Sequence, residues 1–111
     1  MAEQKLDVLA GTLDLIVLKL LRGGAANGWD LTQSIQAISR GTLDVNYGSL
    51  YPALRRLEAN GWIKGRWGMS ENNRRARFYD LTAAGAKQLD TERRSWERFQ
   101  TALGLILESN L

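Results

Sequence analysis

Residues Asn46–Trp62 read NYGSLYPALRRLEANGW. Leu50, Leu54 and Leu57 recur at spacings of four and three, the period of one apolar face on a helix. Asn60-Gly61 supplies the stop, since glycine enters the left-handed conformation that ends a helix without a Cβ penalty. Pro52, the one proline of the chain, lies near the start. With Ser49 as N-cap it falls in the first turn, where the missing N–H has no helical partner. With Asn46 as N-cap it sits one turn further in, and the Gly48 carbonyl loses its bond. Either way Pro52 stiffens the opening turn rather than ending the helix. The face opposite the leucines carries Tyr47, Ser49, Tyr51, Arg55 and Arg56, more aromatic surface and charge than solvation requires.

The chain around this helix has 111 residues, the size of one domain. It has no cysteine and no histidine, which removes a thiol nucleophile and the commonest general base and metal ligand. The carboxylates are scattered rather than clustered. Neither an enzyme nor a metal or cofactor site is expected. Met1–Lys5 lacks the basic region and apolar stretch of a signal peptide. The longest apolar run, Leu15–Leu21, is broken by Lys19 and is too short for a bilayer, which takes about 20 residues. The expectation is a cytoplasmic protein with no membrane partner. Charge is uneven. Arg55–Tyr79 holds seven basic residues against Glu58 and Glu71, so this segment is +5 in a chain of net +3. Such asymmetry fits a face that meets a polyanion.

Leu13, Ile16, Val17, Leu20 and Leu21 predict a helix over Thr12–Arg22, capped by Thr12 and stopped by Gly23-Gly24. Leu15 and Leu18 make it apolar almost all round, so it is central or its outer side is covered by another chain. GGAANG reads as a loop. A second helix follows, with Asp30 as N-cap, Gln33 completing a capping box, and Leu31, Ile35 and Ile38 as its buried stripe. Gly41 ends it, and Leu43–Val45 can form only a short strand. Beyond the Asn46–Asn60 helix, Trp62–Met69 and RRARFYDL read as a β-hairpin joined by the polar turn SENN. Trp67, at a strand end before Gly68, reads as packing. Thr82 caps a final helix running to Glu108. In it Leu89, Trp96 and Leu103, interleaved with Glu92, Phe99 and Ile106, repeat every seven residues, the pattern of a helix–helix seam. At about 1.5 Å per residue this helix is longer than so small a domain needs to cover itself, which favours a homodimer contact.

Three helices followed by a β-hairpin make a winged helix-turn-helix, here mainly α (α+β) with a long C-terminal dimerisation helix. Residues 1–81 would form the DNA-binding domain. Residues 82–111 would pack on it as the dimerisation helix in one structural unit. The third helix, about 46–60, would enter the major groove of double-stranded DNA. The hairpin, about 62–81, would be a basic wing on the backbone or minor groove. Asn46, Tyr47 and Ser49 are best placed for base edges or phosphates. Arg55 and Arg56 suit the DNA backbone. Tyr51 is open between DNA contact and packing under the wing. Arg74, Arg75 and Arg77 lie on the wing, and strand alternation puts Arg75 and Arg77 on one face and Arg74 on the other.

Four blocks, GTLDLIVLKLL (11–21), NGW (27–29), GSLYPALRRLEANGWI (48–63) and RRARFYDLTAAG (74–85), together resemble the PadR family of bacterial transcriptional regulators. The likeness runs almost without gaps over Gly11–Gly85. LYPALRRLEANGWI and YDLTAAG are its specific part. Trp29 stands where the family usually has tyrosine, and Trp62 where it usually has leucine. The single helix after Gly85 is similar to the compact branch of the family. The resemblance implies a homodimeric repressor on a pseudo-palindromic operator, joined through the first and last helices, with Leu13, Val17, Leu89, Trp96, Phe99, Leu103 and Ile106 as interface residues. Compact multidrug-sensing members sandwich a planar aromatic effector between a tryptophan and its symmetry mate. Trp96 matches that position, with Phe99, Gln100 and Asp14 beside it. Gln100 is uncharged where such a repressor can use a carboxylate, so Asp14 would have to supply the negative charge. Two readings of Trp96 stay open, a seam residue and a ligand platform. A different class is also open: a ligand-sensing or protein-interaction module whose winged helix does not read DNA.

Overall fold

A computed structural model of the protein describes residues 6–7 and 11–111, and the signal-peptide reading of Met1–Lys5 lies outside the described residues. The elements are β1 (Leu6–Asp7), α1 (Thr12–Leu21), β2 (Ala26–Asn27), α2 (Gly28–Ile38), β3 (Leu43–Asp44), α3 (Tyr47–Ala59), β4 (Ile63–Met69), β5 (Arg75–Leu81) and α4 (Ala83–Leu107). This is the α+β winged-helix layout expected. Two short strands go beyond it. β2 forms inside the GGAANG stretch and pairs antiparallel with β5, so the wing is the outer part of a three-stranded sheet, β2-β5-β4. β1 runs parallel to β3. Two residues with no alternating pattern leave no trace in the sequence. These strands exist because their backbone groups find partners from far along the chain.

The core is built where the three leading helices meet. Leu50, Ala53, Leu54 and Leu57 of α3 are buried against Leu13, Val17, Leu18 and Leu21 of α1 and Leu31 and Ile35 of α2. Each buried leucine contributes roughly 2 kcal/mol by removing its apolar surface from water. α1 is therefore central, which accounts for its apolar sides. Leu13 and Val17, expected at a dimer interface, lie inside their own subunit, as does Leu89 of α4 at 1% exposure. The seven-residue spacing that includes Leu89 is real. However, its first member packs inward, and only the later ones face out.

The caps correct two expectations and decide between two alternatives at a third. Thr12 is already inside α1, and Gly11 takes the N-cap position at φ 90°, where it has no side chain to offer. In α2 the capping box lies three residues earlier than expected. Asn27 Oδ1 accepts from the Asp30 N–H (2.8 Å), and Asp30 Oδ2 accepts from the Asn27 N–H (3.2 Å). Asp30 is thus the reciprocal partner of the cap. In α3 the N-cap is Asn46, whose Oδ1 accepts from the Ser49 N–H (2.9 Å), so Pro52 sits in the second turn. Gly61 (φ 75°) ends α3 as expected, with the Gly61 N–H on the Glu58 carbonyl and the Trp62 N–H on the Leu57 carbonyl. The SENN turn is closed by Ser70, which donates its N–H to the Arg74 carbonyl (2.8 Å).

The four elements at the wing base are tied at one point. The Trp62 carbonyl accepts from the Thr82 N–H (3.1 Å), and Thr82 Oγ1 donates to the Gly61 carbonyl (2.7 Å). The same hydroxyl caps α4 by accepting from the Gly85 N–H (3.0 Å). Gly85 packs so closely that a Cβ there would overlap the Trp62 carbonyl oxygen. A glycine-to-alanine change inside a helix ordinarily stabilises by about 0.5–1 kcal/mol. Gly85→Ala is instead expected to destabilise by about 1–3 kcal/mol through overpacking, measured by urea unfolding.

Candidate nucleic-acid interface

α3 and the β4-β5 hairpin face each other across a cleft of about 780 Å³. Tyr47, Tyr51 and Arg55 line it from α3, and Trp67, Arg74, Arg75 and Arg77 line it from the wing. Two elements therefore bring these residues onto one face. The positions follow from local structure. Tyr47, Tyr51 and Arg55 are successive turns of one helix face, opposite the leucines. Trp67 pairs across the sheet with Arg77 and, on the same face one step along, meets Arg75.

The rings and cations are stacked. The Arg75 guanidinium lies 4.5 Å from the Trp67 ring centroid, within cation–π reach. Arg77 lies 5.6 Å from Trp67 and 6.0 Å from Tyr79. Trp67 is 57% exposed, so the expectation of a packed structural tryptophan is corrected: it stands at the surface beside the two wing arginines. The strand register, which the sequence does not state, is what places it there. Trp29 also reaches this cleft. Tyr51 does two things. Its hydroxyl sits against Gly28 at the start of α2, so close that a Cβ on Gly28 would come within 2.9 Å of it. Its ring remains half exposed, 5.5 Å from that of Tyr47.

The arginines divide by what holds them. Arg56 lies on the α1 side of α3 and bonds Asp14 with both Nε (3.3 Å) and Nη2. The carboxylate holds the Arg56 guanidinium above its already high pKa, through the hydrogen bond first and the charge second. Two expectations change together. Arg56 is engaged within the subunit rather than offered to a backbone phosphate, and Asp14 is not a free negative charge for a cationic ligand. Arg77 is paired with Glu58 at 2.9 Å. Arg55 and Arg74 have no acidic partner among the described residues, and Arg75 is held by the Trp67 ring. Asn46 is exposed at the helix start, but its oxygen is spent on the cap, leaving only the amide NH₂ to act outward. Ser49 is exposed, and its N–H belongs to that same cap. On the opposite sheet face Arg66 is bonded to Asp80 (2.9 Å) and lies over Phe78, outside the cleft. Burial pushes the Tyr79 hydroxyl above its ordinary pKa, so it stays neutral beneath the arginines.

The profile of the transcriptional regulator PadR-like family matches residues 17–91. The chain belongs to this family. Its fold is similar to that of a transcriptional regulator from Clostridium thermocellum, with a TM-score of 0.81 and 28% identity over 88% of this chain and 95% of that one. It is similar too to a PadR family transcriptional regulator from Eggerthella lenta, with a TM-score of 0.77 and 29% identity over 90% of this chain and 85% of that one. A protein of Lysinibacillus sphaericus is 24% identical over 102 residues, 92% of this chain and 94% of its own. The family is one of transcriptional regulators rather than enzymes. Among the described residues, no helix is long and apolar enough to cross a membrane.

Within this PadR-like domain the stacked tryptophan is surface rather than core. Trp67→Ala is expected to change stability by no more than about 0.5 kcal/mol, against about 3–5 kcal/mol for a core tryptophan. Urea unfolding of the two proteins side by side measures the difference.

Proposed function

We propose that this PadR-like regulator is a dimeric DNA-binding repressor, with α3 in the major groove of a pseudo-palindromic operator and the β4-β5 wing on the adjacent backbone or minor groove. The observation that carries the proposal is the set of unpaired cations on one face. Arg55, Arg74 and Arg75 line the same cleft as the exposed rings of Tyr47, Tyr51 and Trp67, and none has an acidic partner among the described residues. Like charges gathered on one face repel one another, whereas a polyanion neutralises them and contacts the rings. Tyr47 and Ser49 at the helix start are placed for base edges, and the arginines for phosphates.

A second copy of the chain is supported by α4. After Glu92 the helix is exposed except for a half-buried Gly104. Trp96 (40% exposed), Phe99, Leu103 and Ile106 make one apolar stripe along it, and a stripe at this spacing is the surface two helices share. Of the interface expected from the sequence, these four residues are the part that is available. Trp96 and Phe99 stand with ring centroids 5.9 Å apart. A planar effector stacking there would meet the uncharged Gln100, and Asp14 is held by Arg56.

Binding to the protein's own upstream DNA, measured by fluorescence anisotropy between about 50 and about 200 mM salt, tests the reading. Affinity is expected to fall steeply with salt. Arg55→Ala, Arg74→Ala and Arg75→Ala should each reduce the slope of log K against log salt by about 0.9 for every phosphate that the arginine neutralises. Arg56→Ala should leave it unchanged. A folded wild type whose binding is absent or insensitive to salt would instead support a module that does not read DNA. Leu103→Glu with Ile106→Glu is expected to give a folded monomer by light scattering, with operator affinity reduced at least about tenfold because two half-sites are no longer bound together.

A further inference from the structure

Glu58 is the one acidic residue among the described residues that line the cleft, and it sits on the last full turn of α3. Its position is unexpected on a face offered to a polyanion, because a carboxylate there opposes binding. The geometry accounts for it. One oxygen, Glu58 Oε2, accepts from the Gly65 N–H on β4 (3.0 Å) and from Arg77 Nη2 on β5 (2.9 Å). A single atom on α3 thus holds both strands of the wing. β4 is an outer strand of the sheet, so the Gly65 N–H would otherwise be an unpaired edge donor. Glu58 and Arg77 are each about one-third exposed, at 33% and 35%, so their charge-assisted bonds are partly shielded from water.

The sheet is shaped to admit this contact. A Cβ at Gly65 would come within 2.6 Å of Arg77 Nε and Nη2. With no side chain at 65, the Arg77 guanidinium lies across the sheet towards Glu58, flanked by the Trp67 and Tyr79 rings. The ion pair with Glu58 holds its end, and the two rings lie beside it. Arg75 rests on the Trp67 ring, and neither it nor Arg74 has an acidic partner among the described residues.

We infer that Glu58, with Arg77 and Gly65, is a positioning device that sets the wing at a fixed angle to α3, and that Arg77 acts through this strut rather than by touching phosphate. The inference rests on the DNA-binding reading above and divides the wing arginines into one strut and two contacts. It makes an unusual demand on sign. If only the electrostatic field mattered, removing the Glu58 charge would tighten binding to DNA. If Glu58 positions the wing, removing it weakens binding although the protein becomes more basic.

The test is anisotropy on the same DNA across the same salt series for wild type, Glu58→Ala, Glu58→Gln, Glu58→Asp, Arg77→Ala and the Glu58→Ala/Arg77→Ala double variant, each first shown folded by circular dichroism. Glu58→Ala and Arg77→Ala are expected to weaken binding at least about tenfold at every salt concentration, with the slope of log K against log salt unchanged, because the number of neutralised phosphates stays the same. The double variant should be no weaker than either single one, since both break one strut. Glu58→Asp should recover part of the affinity, and the Gly65 amide should exchange faster with solvent in Glu58→Ala. Should Glu58→Ala fail to fold, Glu58→Gln, which keeps the shape and one acceptor, gives the same comparison at smaller amplitude. Glu58 variants that bind as tightly as wild type or more tightly overturn the inference. So does an Arg77→Ala slope reduced by about 0.9, which would make Arg77 a phosphate contact. A folded wild type that does not bind DNA at low salt is a separate result: it removes the DNA-binding reading, and this inference falls with it.

Discussion

The Trp62 carbonyl is the point on which the arrangement of the molecule depends. α3 ends beside it, β4 begins from it, β5 returns to it through the Thr82 N–H, and α4 starts against it. Four elements can meet at one oxygen only if nothing projects from the facing turn of α4, and Gly85 meets that requirement. The end of α3 thus sets where the wing and α4 begin, while Ile63, Tyr79 and Leu89 anchor them in the core. The leucines of α3 fix where that helix sits, and the Trp62 junction passes its position on to the hairpin on one side and the long helix on the other.

Electrostatics on the two sides of α3 do different work. Towards α1, Arg56 is neutralised by Asp14 in a contact 42 residues apart in sequence, which ties the first and third helices at the surface. An exposed ion pair of this kind contributes about 0–1 kcal/mol. Its consequence is selective: it withdraws one of two adjacent arginines from the outer face and leaves the other. Towards the wing, Glu58 withdraws Arg77 in the same way. Of the seven basic residues between Arg55 and Tyr79, Arg56, Arg66 and Arg77 are paired with acids within the subunit. The basic character of the segment is thus concentrated at the cleft rather than spread along it.

The helices, the hairpin and its basic character are legible in the sequence because their signals are local. The leucine spacing of α3, the Asn60-Gly61 stop and the Thr82 cap each depend on residues within one or two turns. What the sequence does not yield depends on distant partners. β2 needs β5, β1 needs β3, and the exposure of Trp67 needs the strand register that sets it beside Arg75 and Arg77. The spacing from Asp30 to Gln33 has the pattern of a capping box, but so does the spacing from Asn27 to Asp30, and the second pair is the one that forms. The seam residues are half legible. A seven-residue apolar repeat does not say where along α4 the subunit's own core stops, and that boundary falls between Leu89 and Trp96. For the cleft, residue types and rough position are evident from the segment. Which arginines are already taken by Asp14 and Glu58 is not, because that depends on how α3 is rotated.

The outward stripe of α4 has a consequence for how such a chain can diverge. Trp96, Phe99, Leu103 and Ile106 are exposed and lie outside the buried core cluster, so the fold places few demands on them beyond helix formation. Duplicated copies of the gene would therefore be able to change this stripe without disturbing the core, the Trp62 junction or the cleft. In the proposed dimer, a few complementary changes along one helix would be enough to keep two paralogous regulators from mixing their subunits in the same cell, each retaining the cleft between α3 and the wing that it inherited.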